Sequence, residues 1–214
     1  MEQVSLAGGP SLPHVMMEKQ TIKEAYQKFT VKDSKVEAAS GESIPKGMGK
    51  GSAEVSEVKT LVDNRIQFTN GRKNRLKPDI RYKTGEYDYF YETDNVGRIV
   101  KFETENLQLT TRTDRLSHSK NTPGKVKGQD YAGHLAGDRF GGSHKIDNLV
   151  SQLSDVNLKQ YKKIEEERAA ALKETPSKKV TVVDIIYSGN DMRPEKFKVI
   201  YTIDGKRSSR VLEN

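Results

Sequence analysis

Residues 131–148, "YAGHLAGDRFGGSHKIDN", decide how the chain is read. A histidine, His134, directly follows a glycine; three more glycines stand among charged residues, and an asparagine closes the stretch. His134 is either a base held at a strand-to-loop corner or a polar residue in a Gly-rich surface loop. The pair Gly141-Gly142 lacks the Lys-Ser/Thr that completes a phosphate-binding P-loop, so it reads as turn geometry.

Downstream, residues 155–172, "DVNLKQYKKIEEERAAAL", form the clearest helical segment, with Val156, Ile164 and Leu172 recurring among Ala, Glu, Lys and Gln. Asp155 reads as its N-cap, and Pro176 follows its end. Positions four and eight beyond Asn157 lie on roughly the same side of a helix, which groups Asn157, Tyr161 and Glu165 in one stripe. Taken singly, each of the three fits an ordinary half-exposed helix face.

Upstream, the pattern is β-like from about Leu61. "YDYFYET" and "GRIVKFETENLQL" are aromatic and β-branched runs separated by "DNVG", where Asp94, Asn95 and Gly97 predict the turn of a hairpin. At the far end, "KKVTVVDIIYSG" and "EKFKVIYTIDGKRSSRVL" predict strands joined by turns, with Phe197, Val199, Tyr201 and Ile203 on one face. The expected class is α+β with a dominant antiparallel sheet.

The first 60 residues differ. Residues 16–29 place Ile22, Ala25 and Phe29 near one face of a short amphipathic helix, and the Gly-, Ser- and Lys-rich stretch after it reads as linker. This gives an N-terminal arm over 1–60 and a folded domain over 61–214.

Composition narrows the chemistry. Only 33% of the 214 residues are hydrophobic and there is no Trp, so the core occupies part of the chain. No apolar run approaches the roughly 18 residues of a membrane span, and the N-terminus lacks the pattern of a cleavable signal, so a soluble chain without membrane insertion is expected. Zero Cys excludes disulfides and zinc knuckles and leaves metals to N and O ligands. The net charge of +7 is uneven: residues 1–60 hold 8 Lys against 8 Asp and Glu, so the excess belongs to the folded part. Residues 71–86 carry six basic and two acidic side chains, and residues 111–145 seven and three. Such clusters either attract a polyanion or form a solvated basic face.

Together, Gly133-His134-Leu135, Phe140-Gly141-Gly142, Asn148-Leu149-Val150-x-Gln152, and Asn157 followed eight residues later by Glu165 form a specific pattern. It resembles the DNA/RNA non-specific endonucleases of the ββα-metal, or His-Me finger, superfamily, and within them the EssD-like nuclease domains that end LXG-type toxins of type VII secretion systems. The likeness is dense here and extends loosely from about Lys77 to the C-terminus. Two departures stand out. The broader family carries Asp-Arg-Gly-His where this chain has Tyr131-Ala132-Gly133-His134, and EssD-like domains often carry Trp at the position of Arg168.

The resemblance implies an antiparallel sheet with one principal metal-bearing helix, and a Mg²⁺-dependent endonuclease (Mn²⁺ substituting) that hydrolyses DNA, with RNA left open. His134 would be the general base, Asn157 the direct ligand of the ion, and Glu165 the holder of metal-bound waters. Asn148 would fix the loop or the phosphate, and Arg115 would neutralise charge on the phosphoryl group. An imidazole at its ordinary pKa of ~6.5 is largely neutral at pH 7, as a base must be. His118 and His144 lie in basic, Gly- or Ser-containing loops and read as incidental loop residues, with phosphate contacts as the alternative. The resemblance also implies a secreted antibacterial toxin acting in the cytoplasm of the target cell. Its other implied partners are a cognate immunity protein and the type VII machinery, the latter met through a region N-terminal to this chain. The alternatives are a non-catalytic basic nucleic-acid-binding module, which leaves the His134, Asn157 and Glu165 spacing to coincidence, and an enzymatically dead structural module.

Overall fold

Alternating aromatic and β-branched residues put one set of side chains on each face of a strand, and here they assemble a seven-stranded sheet. The computed structural model describes residues 59–63, 65–69 and 72–214. The arm and linker, with the helix expected at 16–29, lie outside the described residues except for residues 59 and 60. Across the sheet the order is β1 (Thr60–Leu61), β4 (Ile80–Thr84), β5 (Tyr89–Thr93), β6 (Ile99–Thr104), β9 (Val180–Tyr187), β10 (Lys196–Ile203) and β11 (Lys206–Glu213). Every neighbouring pair is antiparallel except β1 with β4. A small pair, β2 (Phe68–Thr69) with β3 (Arg72–Leu76), stands apart.

The predicted hairpin is β5–β6. Its turn closes as Asp94 Oδ1 accepts from the amides of Val96 and Arg98, with Gly97 at φ +82°. β10 and β11 join through Asp204-Gly205, both at positive φ, the pattern of a tight two-residue hairpin loop. As expected, Phe197, Val199 and Tyr201 turn into the core, where Tyr82, Tyr91 and Phe102 stack with ring centroids 5.4 and 5.1 Å apart.

Beside this sheet stands a ββα unit. β7 (Asp130–His134) pairs antiparallel with β8 (Leu149–Leu153), and the chain then winds through π-helical turns at Val156–Tyr161 into α1 (Lys162–Lys173). The helix packs back onto the sheet through Tyr161, whose ring meets Phe197 edge-on at 6.4 Å. The fold is therefore α+β with one α-helix among the described residues. None of their helices is long and apolar enough to cross a membrane.

One expectation needs correction. Asp155 is not an N-cap: its backbone is already helical, and its carboxylate binds Gln160 and Lys159 instead. β8 runs into the helix with no intervening loop, and the Ser154 amide is satisfied by the Gln129 carbonyl at 3.1 Å, which leaves no turn for a cap to close. Arg168, where EssD-like domains often carry Trp, keeps its place in the packing of the helix. It is 1% exposed, paired with Asp184 at 3.4 Å and laid over the Tyr201 ring at 4.9 Å. Asp184 on β9 is the compensation that lets an arginine occupy a buried site.

Candidate active site

The corner that carries His134 is built by the tyrosines of the sheet. Tyr91 Oη donates to Asn148 Oδ1 at 2.8 Å, Tyr82 Oη to the Asp147 carbonyl at 2.8 Å and Tyr89 Oη to the Phe140 carbonyl at 2.9 Å. An aromatic body in the core with a polar tip at the loop is what a strand tyrosine offers. Asp147 adds bonds from Gln67, Thr84 and Ser143. Gly141, at φ +73°, ends the short 3-10 turn Asp138–Phe140 in the left-handed conformation that glycine adopts without strain.

Asn148 is fully buried and fully committed. Its Oδ1 also accepts from the Ala136 amide, and its Nδ2 donates to the Ala136 and Ser143 carbonyls. Both polar atoms of its amide are thus engaged with the loop and with Tyr91.

Gly133 on β7, and Leu135 and Gly137 just beyond it, each make a close approach to a neighbouring element. A Cβ at Gly133 would lie 2.0 Å from Gln152 Oε1, so the Gln152 side chain fills the space the glycine leaves. The Leu135 carbonyl accepts from Tyr161 Oη at 3.3 Å. A Cβ at Gly137 would lie 2.4 Å from Glu165 Oε1, so the carboxylate lies directly over that glycine. Within the stripe, Tyr161 and Glu165 thus meet the segment just beyond β7, and Asn157 meets Gln152 of β8, with Tyr161 buried rather than half-exposed.

Gln152 orients the amide at the head of the stripe. Asn157 Nδ2 donates to Gln152 Oε1 at 2.8 Å, which turns Asn157 Oδ1 away with no hydrogen bond to any described residue. Gln152 Nε2 is itself buried without a partner. Glu165 likewise has no hydrogen bond or ion pair among the described residues, and burial pushes its carboxyl up to about 7, against the pull of Arg139 and Arg168. Two oxygen donors thus stand without protein partners among the described residues. Among the described residues no three His, Asp or Glu side chains cluster as a metal cage. The set therefore fits Mg²⁺, which takes one or two protein oxygens and keeps several waters, better than an ion that needs a full protein shell. Asn157 and Glu165 are the residues that would hold it.

His134 ends β7, paired with Leu149. Burial, together with the charges of His118, Arg115 and His144 and against that of Asp138, holds its imidazole down at about 4, below the ordinary value used for the sequence. The ring is thus neutral at pH 7 by a wide margin. His118 is not incidental: its ring meets His134 edge-on, with centroids 4.9 Å apart. No periodicity could have revealed this contact, because a loop makes it.

Arg115 is exposed, has no ion pair among the described residues, and acts electrostatically on both imidazoles. Its neighbour Arg112 is spent on Glu86 and Asp138, at 3.3 and 3.2 Å. The sequence reading missed Arg139, which is exposed, unpaired among the described residues and close enough to Glu165 to lower its pKa. Its place in "DRF", two residues beyond Gly137, was the available signal.

A family model described as DNA/RNA non-specific endonuclease matches residues 78–205, which contain this whole arrangement. The chain belongs to that endonuclease family. Type VII secretion system protein EssD of Staphylococcus aureus, in strains USA300 and Newman, is 36% identical to this chain over 162 residues, 72% of this chain and 26% of the relative. The chain thus spans about a quarter of the length of these curated relatives. Crystal structures of NucA from Streptococcus agalactiae, with magnesium ion bound and with no metal bound, superpose with TM-scores of 0.42 and 0.41 at 15% and 14% identity. They cover 66% and 69% of this chain and 78% and 76% of theirs.

Proposed function

We propose that the domain is a Mg²⁺-dependent endonuclease that hydrolyses phosphodiester bonds of DNA, and of RNA where it meets it, with little base readout. The observation that supports this reading is a pair of oxygen donors, Asn157 Oδ1 and Glu165, without hydrogen-bond partners among the described residues, on the helical segment that directly follows the β7–β8 hairpin bearing a neutral, half-buried His134. His134 accepts a proton from the water whose oxygen bonds to phosphorus, while the phosphorus–O3′ bond breaks and the leaving oxygen takes a proton from solvent. When bound, the ion supplies charge to stabilise the phosphorane and the departing oxygen. Asn157, as a neutral ligand that leaves the ion's charge undiminished, and Glu165 would hold it, and Gln152 would keep the Asn157 oxygen aimed. Arg115 and Arg139 oppose the phosphate's charge from the protein side. Asn148 supports the corner from below.

The likeness to EssD supports a wider reading: the domain is the nuclease end of a longer protein exported by type VII secretion and used in the cytoplasm of competing bacteria. The producing cell then needs a cognate immunity protein, acidic where it meets the basic surface. Plasmid nicking with Mg²⁺ and with EDTA, run beside a DNA-binding assay, tests the enzymatic core. Cleavage should require Mg²⁺ or Mn²⁺, and His134→Ala should fall by at least about 100-fold with DNA affinity retained. Full turnover in chelator, or normal cutting by a folded His134→Ala protein, overturns it and leaves a basic nucleic-acid binder.

A further inference from the structure

Neither nitrogen of the His134 ring makes a hydrogen bond with any described residue, although the backbone beneath it is fixed on both sides. β7 pairs His134 with Leu149, and the next amide, Leu135, donates to the Asn148 carbonyl at 3.0 Å. A general base needs its acceptor nitrogen aimed within hydrogen-bond reach of the water it deprotonates. What touches the ring is His118, edge-to-face at 4.9 Å with the planes 68° apart, a geometry that aromatic pairs favour.

We propose that His118 is the positioning residue of the base: its ring edge holds the His134 imidazole in the one orientation that faces the scissile phosphate.

The segment that delivers His118 is clamped to the same hairpin. Thr122 and Ser151 on β8, both buried, share a hydrogen bond at 2.6 Å, and Ser151 Oγ also donates to the Pro123 carbonyl at 2.8 Å. The Ser119 amide donates to the His144 carbonyl at 3.3 Å, one residue from the ring in question. A side chain carried on so fixed a segment can act as a wall. The charged groups around the pair are Arg115, Lys120 and Lys125 on this segment, Asp138 on the 3-10 turn and His144 on the facing loop. Burial and the cations keep both imidazoles neutral, so like charge does not push the rings apart. No hydrogen bond joins the two rings, so shape rather than proton exchange is the contribution.

This inference rests on the nuclease reading, and the test separates the two. Steady-state cleavage is compared for wild type, His134→Ala, His118→Ala, His118→Gln and His118→Phe, each checked for an unchanged melting transition. His118→Ala should lose about 10- to 100-fold in kcat, the scale of a misplaced reacting group, with KM for DNA within about twofold. His118→Phe restores an aromatic edge without a titratable nitrogen and should return kcat to within about threefold of wild type. If alanine does not fold, the Gln and Phe variants carry the comparison, with Gln low and Phe high. Wild-type kcat in His118→Ala overturns the proposal. So does a defect confined to KM, or one that Phe fails to relieve, since either would make the imidazole itself a substrate contact. Normal cutting by His134→Ala would instead overturn the nuclease reading.

Discussion

Two carboxylates reached by the same helix have opposite surroundings. Asp184, in the interior on β9, is fully buried and meets Arg168 and Tyr161, so its charge is answered on the spot. Glu165, over Gly137 at the rim, has its carboxyl raised to about 7 and no hydrogen bond or ion pair among the described residues. Asp184 is satisfied within the protein, whereas Glu165, without a partner among the described residues, is the carboxylate proposed to hold the ion. The same division runs through the amides, with Asn148 wholly consumed and Asn157 half open.

The strongest way to break the comparison is to give Asp184 the condition of Glu165. Arg168→Ala removes its counter-charge, and leaving a buried charge unpaired should cost about 3–5 kcal/mol of stability, read as a large fall in denaturant midpoint. A variant as stable as wild type would mean the pair is not what holds the helix to the sheet.

Next in size is the open end. Asn157→Ala should raise the Mg²⁺ concentration for half-maximal cleavage by more than about 100-fold, with partial recovery at high metal and an unchanged melting temperature. An unaltered metal midpoint would remove Asn157 from the ligand set.

Gly137→Ala sharpens the contrast by disturbing the rim alone. The added methyl displaces the Glu165 carboxylate, and the Mg²⁺ midpoint should rise by about tenfold, the scale of lost outer-shell support. Titration against metal at fixed DNA reads it, and a midpoint equal to wild type would show that the carboxylate is not engaged.

The smallest effect is an absence. With its imidazole held at about 4, His134 should show no NMR titration between pH 8 and pH 5. The sign follows from burial: the folded state resists protonation. The contribution to stability is complete above about 6.5, where the unfolded imidazole is also neutral, and drains as pH falls toward 4. A midpoint near 6.5 for His134 would place the ring in solvent.

The sequence made local features legible and long-range compensation illegible. Asp94 and Gly97 announce their hairpin because turn chemistry is local, and the glycine before His134 and the asparagine opening the helix show as spacing. Arg168 could not be read without Asp184, which enters from strand β9. His118 could not be read without the clamp at Thr122 and Ser151. Asn148 admitted two roles because its commitments are to backbone carbonyls and a tyrosine distant in sequence. Gln152 stood in the quoted motif without a function, since its task is to direct another side chain.

The loose winding at Val156–Tyr161 has a consequence for direction. An α-helix turns about 100° per residue, so eight residues of it would leave Glu165 about 80° around the axis from Asn157. A π-helix turns about 82° per residue, and four such steps followed by four α steps total within about 10° of two full revolutions. The wide turns therefore act as a vernier on the helix. The amide and the carboxylate stand on one line because the chain is coiled slackly beneath the first and tightly beneath the second.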